Sequence, residues 1–252
     1  MRPLLGILRM SIALPTIVIG SLLIIATMWI PIRVRGIKIA AWLLTALASL
    51  AMALFNVRFH CAEPEKLFRH QGFVFPNHIT YFDILMMVRV LPMRFVSAIE
   101  NRSMPFIGWV AIAIGTVFVN RSDKQSRAEA RTQLAKIANA QPFPPIVVYP
   151  EGGVGPVRGL QPFRYGAFEI AAEGGVPYLP CAILYSHPEV IVWGQKEGFM
   201  DTFWRLACFP GPVEANLMPL IPIQPGPSDD PKQLATDGHR VIAAALGVPP
   251  QM

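Results

Sequence analysis

A histidine and an aspartate lie five residues apart in the segment FPNHITYFDI, at positions 78 and 83. An imidazole that donates one ring N–H to a carboxylate can use its other nitrogen as a general base. On a regular helix, two residues five apart point about 140° away from each other. His78 and Asp83 therefore meet only if His78 precedes a helix and Asp83 lies in its first turn. We predict this arrangement as a catalytic dyad in which the nucleophile comes from the substrate.

The same segment also has a purely structural interpretation. Thr80 and Asp83 match the T-x-x-D pattern of a capping box, which begins a helix without any chemistry. Pro76 and Asn77 are expected to end a strand, and Thr80 is a favourable N-cap residue. Both interpretations place a helix start shortly after His78, so this pattern alone leaves the choice open.

Three further motifs follow in order: GTVFVNR at 115–121, YPEGG at 149–153 and VPYLP at 176–180. With NHITYFD, this series resembles the motifs of the glycerolipid acyltransferase family, which includes 1-acyl-glycerol-3-phosphate and lysophospholipid acyltransferases. That family carries N-H-x-x-x-x-D, G-x-x-F-x-x-R, F-P-E-G-[TS] and V-P-x-x-P blocks. The resemblance implies an enzyme that moves a fatty acyl group from acyl-CoA or acyl carrier protein onto a glycerol hydroxyl. It assigns His78 as the general base and Asp83 as its orienting carboxylate.

The resemblance also implies a set of substrate-binding residues. Arg121 matches the position that contacts the acceptor's phosphate in the family, and a guanidinium binds phosphate with two parallel hydrogen bonds. Glu151 and Gly152 match the family's Glu-Gly pair, where backbone N–H groups can approach an anion or oxyanion. Arg158 and Arg164 are further candidates for the phosphate of the acceptor or of the acyl donor.

The chain departs from the family pattern directly after Gly152. Gly153 replaces the usual Thr or Ser, and the Arg that often follows closely is absent. We expect 1-acyl-glycerol-3-phosphate as the acceptor, because it is the family's commonest one. A lysophosphatidylcholine or -ethanolamine acceptor is the alternative, favoured by this departure and by the segment 192–220. A membrane protein that binds lipid without turnover is a more distant alternative.

From residue 58 to the end of the chain, short apolar runs alternate with helical patterns. This alternation predicts an α/β domain over residues 58–252, with a mixed, mostly parallel sheet flanked by helices. The predicted strands are 72–76, 94–99, 116–120, 146–150, 177–185 and 214–221, and the predicted helices are about 81–91, 104–114, 123–140, 165–174 and 231–246.

The preceding segment has the composition of a membrane anchor. Residues 10–32 and 39–57 contain no charged side chain, and each is close to the ~20 apolar residues that a helix needs to cross a bilayer. We predict a two-helix membrane anchor over residues 1–57, either a spanning hairpin or a monotopic anchor on one face. The basic connector at 33–38 favours the monotopic form, because positive loops tend to stay cytoplasmic. Pro15 is expected to interrupt the first helix.

The composition and charge of the chain limit the classes of molecule that it is expected to bind. The chain is 53% hydrophobic and 15% charged, with a net charge of +6, whereas soluble domains carry about 25% charged residues. Because the basic residues are scattered, an anionic membrane surface is favoured over nucleic acid. Three distant cysteines without ligand spacing predict neither a disulfide framework nor a metal site. The family resemblance implies no cofactor beyond the acyl thioester co-substrate. The predicted partners are membrane lipids, a lysophospholipid and acyl-CoA or acyl carrier protein, at the cytoplasmic face of the cell membrane.

Overall fold

A mixed β-sheet between two layers of helices forms the centre of the protein. The structure is a computed structural model, and it describes residues 2–104, 106–120, 124–154, 159–192 and 199–249. Within these residues, seven strands form the main sheet and two form a separate hairpin. In chain order the strands are β1 (Arg33–Val34), β2 (Ile37–Lys38), β3 (Val57–Cys61), β4 (Phe73–Pro76), β5 (Arg94–Ala98), β6 (Val117–Val119), β7 (Ile146–Val147), β8 (Tyr178–Tyr185) and β9 (Val213–Pro219).

Helices pack against both faces of the main sheet. A 3₁₀ turn at Ile99–Ser103 follows β5. In chain order the α-helices are α1 (Pro3–Thr27), α2 (Ile39–Leu54), α3 (Pro64–Arg69), α4 (Phe82–Val90), α5 (Ile107–Ala113), α6 (Lys124–Ala140), α7 (Gly166–Gly174), α8 (Pro188–Ile191), α9 (Phe199–Cys208) and α10 (Pro231–Leu246).

The main sheet has the strand order β3-β9-β8-β4-β7-β5-β6. Neighbouring strands are parallel except for β8 and β9, which are antiparallel, so the predicted mixed, mostly parallel sheet is confirmed. The predicted strands and the helices α4, α5, α6, α7 and α10 match within three residues at each described end. The sequence prediction lacks the short strands β1 and β2, the strand β3 and the helices α3, α8 and α9. Strand β3 follows an apolar helix directly, so its short alternation reads as a continuation of that helix.

The central strand β4 explains how the sheet holds the segment that follows it. All four residues of its sequence FVFP are buried. Val74 packs in the cluster formed with α2, α4 and α9, whereas Phe73 and Phe75 pack in the cluster formed with α6, α7 and α10. A strand covered on both faces is apolar at every position, and each large side chain stabilises by roughly 1.5–3 kcal/mol. Strand β4 therefore gives the chain after Pro76 a fixed starting point.

Helix α1 is 25 residues long, and in the described part of the chain it is the helix whose length and composition would suffice to cross a membrane. Helix α2, with 16 residues, is shorter. The expected interruption at Pro15 is wrong, because α1 continues through it. A proline removes one helix hydrogen bond, and the packing of α1 against α2, α5 and α9 compensates for that loss.

The N-terminal end of α1 is attached to the C-terminal end of α9. The Arg9 guanidinium donates hydrogen bonds to the carbonyl oxygens of Ala207 (3.1 Å) and Phe209 (2.7 Å), and the Arg2 N–H donates to Cys208 O (2.9 Å). These donors satisfy carbonyl groups that a helix end leaves without partners.

The domain boundary at residue 57 stays a prediction.

The outer side of α1 carries a row of large apolar side chains exposed to solvent. Exposed apolar surface of this extent is rare on soluble monomeric proteins and indicates an interaction surface. The exposed side chains are Leu4, Ile7, Leu8, Ile12, Leu14, Val18, Ile19, Leu22 and Leu23.

Candidate active site

The candidate site lies where β4 and β7 end. These strands are parallel neighbours, so their carboxyl ends lie at the same edge of the sheet, where α/β proteins bind ligands. His78 follows β4, and Glu151 follows β7. The Asn77 side chain holds β4 to β8, because its Nδ2 donates to Ile183 O (3.0 Å) and its Oδ1 accepts from Ile183 N (2.7 Å). This pairing continues the strand ladder and positions His78 just beyond it.

His78 and Asp83 are in direct contact, as the sequence predicts. His78 precedes α4 and Asp83 lies in its first turn, with 2.8 Å between His78 Nδ1 and Asp83 Oδ2. Both residues are buried, Asp83 completely. With the ring proton on Nδ1, the imidazole donates to the carboxylate and its Nε2 is the nitrogen able to accept a proton.

The Asp83 carboxylate also begins the helix, so the two interpretations of this segment hold together. Its Oδ2 accepts from the N–H groups of Ile79 (2.8 Å) and Thr80 (3.0 Å), as the carboxylate of a capping box does. Helix α4 starts at Phe82 with Tyr81 as its N-cap, so the expected N-cap at Thr80 is one residue too early; Thr80 Oγ1 accepts only a long bond from Phe82 N (3.4 Å). Asp83 Oδ1 accepts from the Tyr185 hydroxyl at 2.8 Å, a contact absent from the sequence prediction.

A tyrosine lies flat against the imidazole. The rings of Tyr149 and His78 have centroids 3.8 Å apart and an interplanar angle of 19°. The Tyr149 hydroxyl is buried and has no hydrogen-bond partner among the described residues. Burial, and next the nearby Asp83 carboxylate, raise the pKa of the Tyr149 phenol, so it stays neutral. Sequence reasoning missed this contact because the YPEGG motif indicated only a variant of F-P-E-G.

The Glu151 carboxylate binds the backbone of His78 and not its ring. Glu151 Oε1 accepts from His78 N at 2.7 Å, and Oε2 accepts from Gln161 N at 3.2 Å. Burial raises the pKa of Glu151 to about 7, and the two N–H donors oppose that rise. Glu151 thus connects the segment after β4 to the segment before α7.

Gly152 lies under the side chain of Arg164. Its backbone φ is +80°, and a Cβ added there would lie 2.5 Å from Arg164 Nε, so glycine is required on both counts. The Gly152 N–H donates to Tyr149 O (3.1 Å). This N–H is the group that the sequence predicts as a donor to an oxyanion, and it is already engaged. Gly152 instead makes room for Arg164, whose backbone N–H donates to Pro150 O (2.8 Å). The exposed Arg164 side chain thereby lies directly over Gly152.

The other two predicted arginines, Arg121 and Arg158, lie outside the described residues. In the described part of the chain, the structure brings together His78, Asp83, Glu151, Gly152 and Arg164. It adds Tyr149 and Tyr185, which contact the dyad directly.

Comparison with known proteins identifies the family. A family model described as Acyltransferase matches residues 58–184, which is half of the chain. The protein therefore belongs to the acyltransferase family, and the predicted membership in its glycerolipid branch is confirmed by relatives that are lysophospholipid acyltransferases.

The relatives include lysophospholipid acyltransferase LPCAT4 from Homo sapiens, 31% identical over 176 residues, which are 68% of this chain and 33% of that protein. Lysophosphatidylcholine acyltransferase 1 from Rattus norvegicus is 30% identical over 175 residues, 68% of this chain and 32% of that protein. Lysophospholipid acyltransferase LPEAT2 from Arabidopsis thaliana is 27% identical over 180 residues, 69% of this chain and 32% of that protein. The chain thus spans about a third of the length of these relatives.

A solved structure shares the fold over nearly the whole chain. It is the 1-acyl-sn-glycerophosphate acyltransferase PlsC from Thermotoga maritima, with a TM-score of 0.71 and 21% sequence identity. The match covers 96% of this chain and 93% of that one, so the likeness includes the N-terminal helices as well as the sheet.

Proposed function

We propose that the protein is a membrane-associated acyltransferase that moves a fatty acyl group from a thioester to the free hydroxyl of a lysophospholipid. The observation that carries this proposal is the 2.8 Å contact between His78 Nδ1 and the buried Asp83 carboxylate, at the edge of the sheet where ligands bind. Membership in the acyltransferase family supports the reaction class.

The proposed reaction uses His78 first as a base and then as an acid. Its Nε2 takes the proton of the acceptor hydroxyl while that oxygen attacks the thioester carbonyl carbon. The tetrahedral intermediate collapses, the C–S bond breaks, and the imidazolium returns the proton to the leaving thiolate. Asp83 stabilises the imidazolium between the two transfers. A positioned base contributes roughly 10²–10⁴ in rate, and holding both substrates together contributes about 7–11 kcal/mol more.

Arg164 is the described residue best placed to bind the acceptor's phosphate. Its guanidinium is exposed and passes over Gly152, next to the segment that holds His78. A guanidinium binds phosphate with two parallel hydrogen bonds and neutralises its charge. Arg121 and Arg158 stay further candidates, as the family motifs imply.

We propose that α1 and α2 anchor the protein as a monotopic element on the cytoplasmic face of the cell membrane. The apolar row on α1 supports lipid contact on one side of that helix. On its other side, α1 packs against α9 so closely that a Cβ on Gly6 would lie 2.4 Å from Cys208 Sγ. A helix held along the domain in this way favours partial immersion over a spanning hairpin.

For the acceptor, 1-acyl-glycerol-3-phosphate is the first candidate, which would make the product phosphatidate in phospholipid synthesis. A lysophosphatidylcholine or -ethanolamine acceptor is the second candidate. Sequence relatives that are lysophosphatidylcholine acyltransferases, and Gly153 in place of Thr or Ser, favour this second candidate.

A panel of acceptors given to the purified protein tests the proposal. The protein in lipid nanodiscs is supplied with labelled acyl-CoA or acyl carrier protein and, in turn, lysophosphatidate, lysophosphatidylcholine and lysophosphatidylethanolamine. We expect labelled diacyl product with the highest kcat/KM for lysophosphatidate. A preference for another acceptor would move the protein to the second candidate. Lysolipid binding without transfer to any acceptor would contradict the reaction class, and thioester loss without an acceptor would indicate a hydrolase.

A further inference from the structure

Tyr185 is the last residue of β8, and its side chain contacts Asp83 at the carboxylate oxygen that His78 does not bind. The ring is buried, and its hydroxyl donates a 2.8 Å hydrogen bond to Asp83 Oδ1. We propose that Tyr185 is a positioning residue, which acts on the reaction by holding the Asp83 carboxylate that orients His78. This inference rests on the proposed acyl transfer and adds a residue that the acyltransferase motifs do not include.

The Asp83 carboxylate needs a donor on the side where Tyr185 lies. Its other oxygen, Oδ2, accepts three bonds, from the His78 ring and from two backbone N–H groups. Among the described residues, the Tyr185 hydroxyl is the donor to Oδ1. Asp83 has no exposed surface, so bulk water does not replace this donor. A carboxylate bound through both oxygens is fixed against rotation about its χ2 torsion, which is otherwise broad.

The phenol is a permanent donor. Burial, and next the charge of Asp83, raise the pKa of Tyr185 well above its ordinary value, so the hydroxyl keeps its proton throughout the working pH range. The bond therefore persists whichever protonation state His78 passes through during the reaction.

Strand β8 also binds Asn77, the residue before His78. Ile183 pairs through its backbone with the Asn77 side chain, and Tyr185 bonds to Asp83. Residues 183 and 185 are two apart on a strand, so their side chains lie on one face of the sheet, the face of the α4 cluster. Strand β8 therefore fixes the residue before His78 and the carboxylate after it.

A second tyrosine of β8 supplies a matched control. Tyr178 is also buried, but its side chain packs on the opposite face, against Phe75 and Phe168. Its hydroxyl has no hydrogen-bond partner among the described residues. Tyr178→Phe thus removes the same group from the same strand without touching the dyad.

The test compares the acyl-transfer kinetics of Tyr185→Phe and Tyr178→Phe with the full-length wild type in nanodiscs. We expect kcat to fall roughly 10- to 100-fold in Tyr185→Phe, because a small misplacement of a reacting group costs that much, with KM for both substrates within about two-fold. Tyr178→Phe should keep kcat within about two-fold of wild type. Thermal unfolding of each variant reports on folding.

A double-variant cycle then separates positioning from packing. If Tyr185 acts through Asp83, adding Tyr185→Phe to Asp83→Asn should change kcat by less than about three-fold, since the interaction is already broken. An equal loss in both backgrounds, a rise in KM without a fall in kcat, or a wild-type kcat in Tyr185→Phe would overturn the assignment. Wild-type protein without any acyl transfer would instead overturn the proposed function on which the assignment rests.

Discussion

Two buried carboxylates contact different groups of His78: Asp83 contacts the ring, and Glu151 contacts the backbone N–H. Asp83 contacts the imidazole ring and accepts hydrogen bonds from four groups: the ring, two backbone N–H groups and the Tyr185 hydroxyl. Among the described residues, Glu151 accepts from the backbone N–H of His78 and from one other donor, Gln161 N. In the proposed mechanism, Asp83 acts on the proton chemistry of the ring, whereas the Glu151 contact positions the backbone of the histidine.

Burial also affects the protonation of the Glu151 carboxylate. Removing a carboxylate from water favours its protonated form, and donors oppose that effect. Glu151 has two donors, and burial still raises its pKa to about 7. Glu151 is therefore partly protonated near neutral pH, which suits a structural connection better than a fixed charge.

Removing the ring itself should have the largest effect. We expect His78→Ala to lower kcat by roughly 10⁴-fold, the upper range for loss of a general base, because the variant lacks the proposed acceptor of the hydroxyl proton. Membrane association should stay as in wild type, and thermal unfolding shows whether the variant is folded. His60→Ala, at an exposed histidine on β3, is the matched control and should keep full activity. Turnover near the wild-type rate in His78→Ala would end the proposed mechanism.

Neutralising Asp83 should come second. Asp83→Asn retains the shape but places an amide against several donors, so we expect kcat to fall roughly 10²–10³-fold, within the range of about 10²–10⁴ that a positioned base contributes. The free energy of unfolding should fall by about 1–3 kcal/mol, since buried donors lose their acceptor. Steady-state kinetics and denaturant unfolding measure the two effects. A loss of activity no larger than that of the same change at residue 151 would break the comparison.

The equivalent amide at Glu151 should have a smaller effect on rate. Glu151→Gln keeps one acceptor oxygen and loses the other, so we expect kcat to fall only about ten-fold through displacement of the His78 backbone. KM for both substrates should change little. Kinetics under the conditions used for Asp83→Asn give the direct comparison, and an equal or greater loss would reverse the two roles.

The same substitution should also remove a pH dependence of stability. The pKa of Glu151 is raised from 4.5 to about 7 on folding, so its contribution to stability is complete below pH 4.5 and is lost as pH rises to about 7. The free energy involved is up to about 3 kcal/mol. Burial lowers the pKa of His70 and His239, which act in the opposite direction, so the measured quantity is the wild-type minus Glu151→Gln difference. A difference that stays constant from pH 4.5 to 7 would contradict the raised pKa.

The smallest effect on kcat is expected for Arg164, the exposed residue whose side chain lies over Gly152. Arg164→Ala should raise KM for a phosphate-bearing acceptor roughly 5- to 20-fold, because one solvated guanidinium contact is lost, and should leave kcat nearly unchanged. Arg240→Ala, at an exposed arginine on α10, is the control. An unchanged KM would remove Arg164 from the phosphate site and leave that role to the other predicted arginines.

The sequence predicted those parts of the molecule whose interactions are local. Strand and helix periods placed most elements of the sheet, because each period depends on neighbours within a few residues. The contact between His78 and Asp83 was predictable for the same reason, since it requires only a strand end and a helix start five residues apart. The continuous course of α1 through Pro15 was not predictable, because packing against other helices decides it.

By itself, the amino-acid sequence determined the alternation of strands and helices, the apolar N-terminal segments and the contact between His78 and Asp83, the proposed catalytic pair. Only the tertiary structure decided which groups surround that pair. Tyr185 is 102 residues from Asp83, and Glu151 is 73 residues from His78. Their contacts exist because β4 lies between β7 and β8, and strand order is set by the burial of the whole sheet and not by any local pattern.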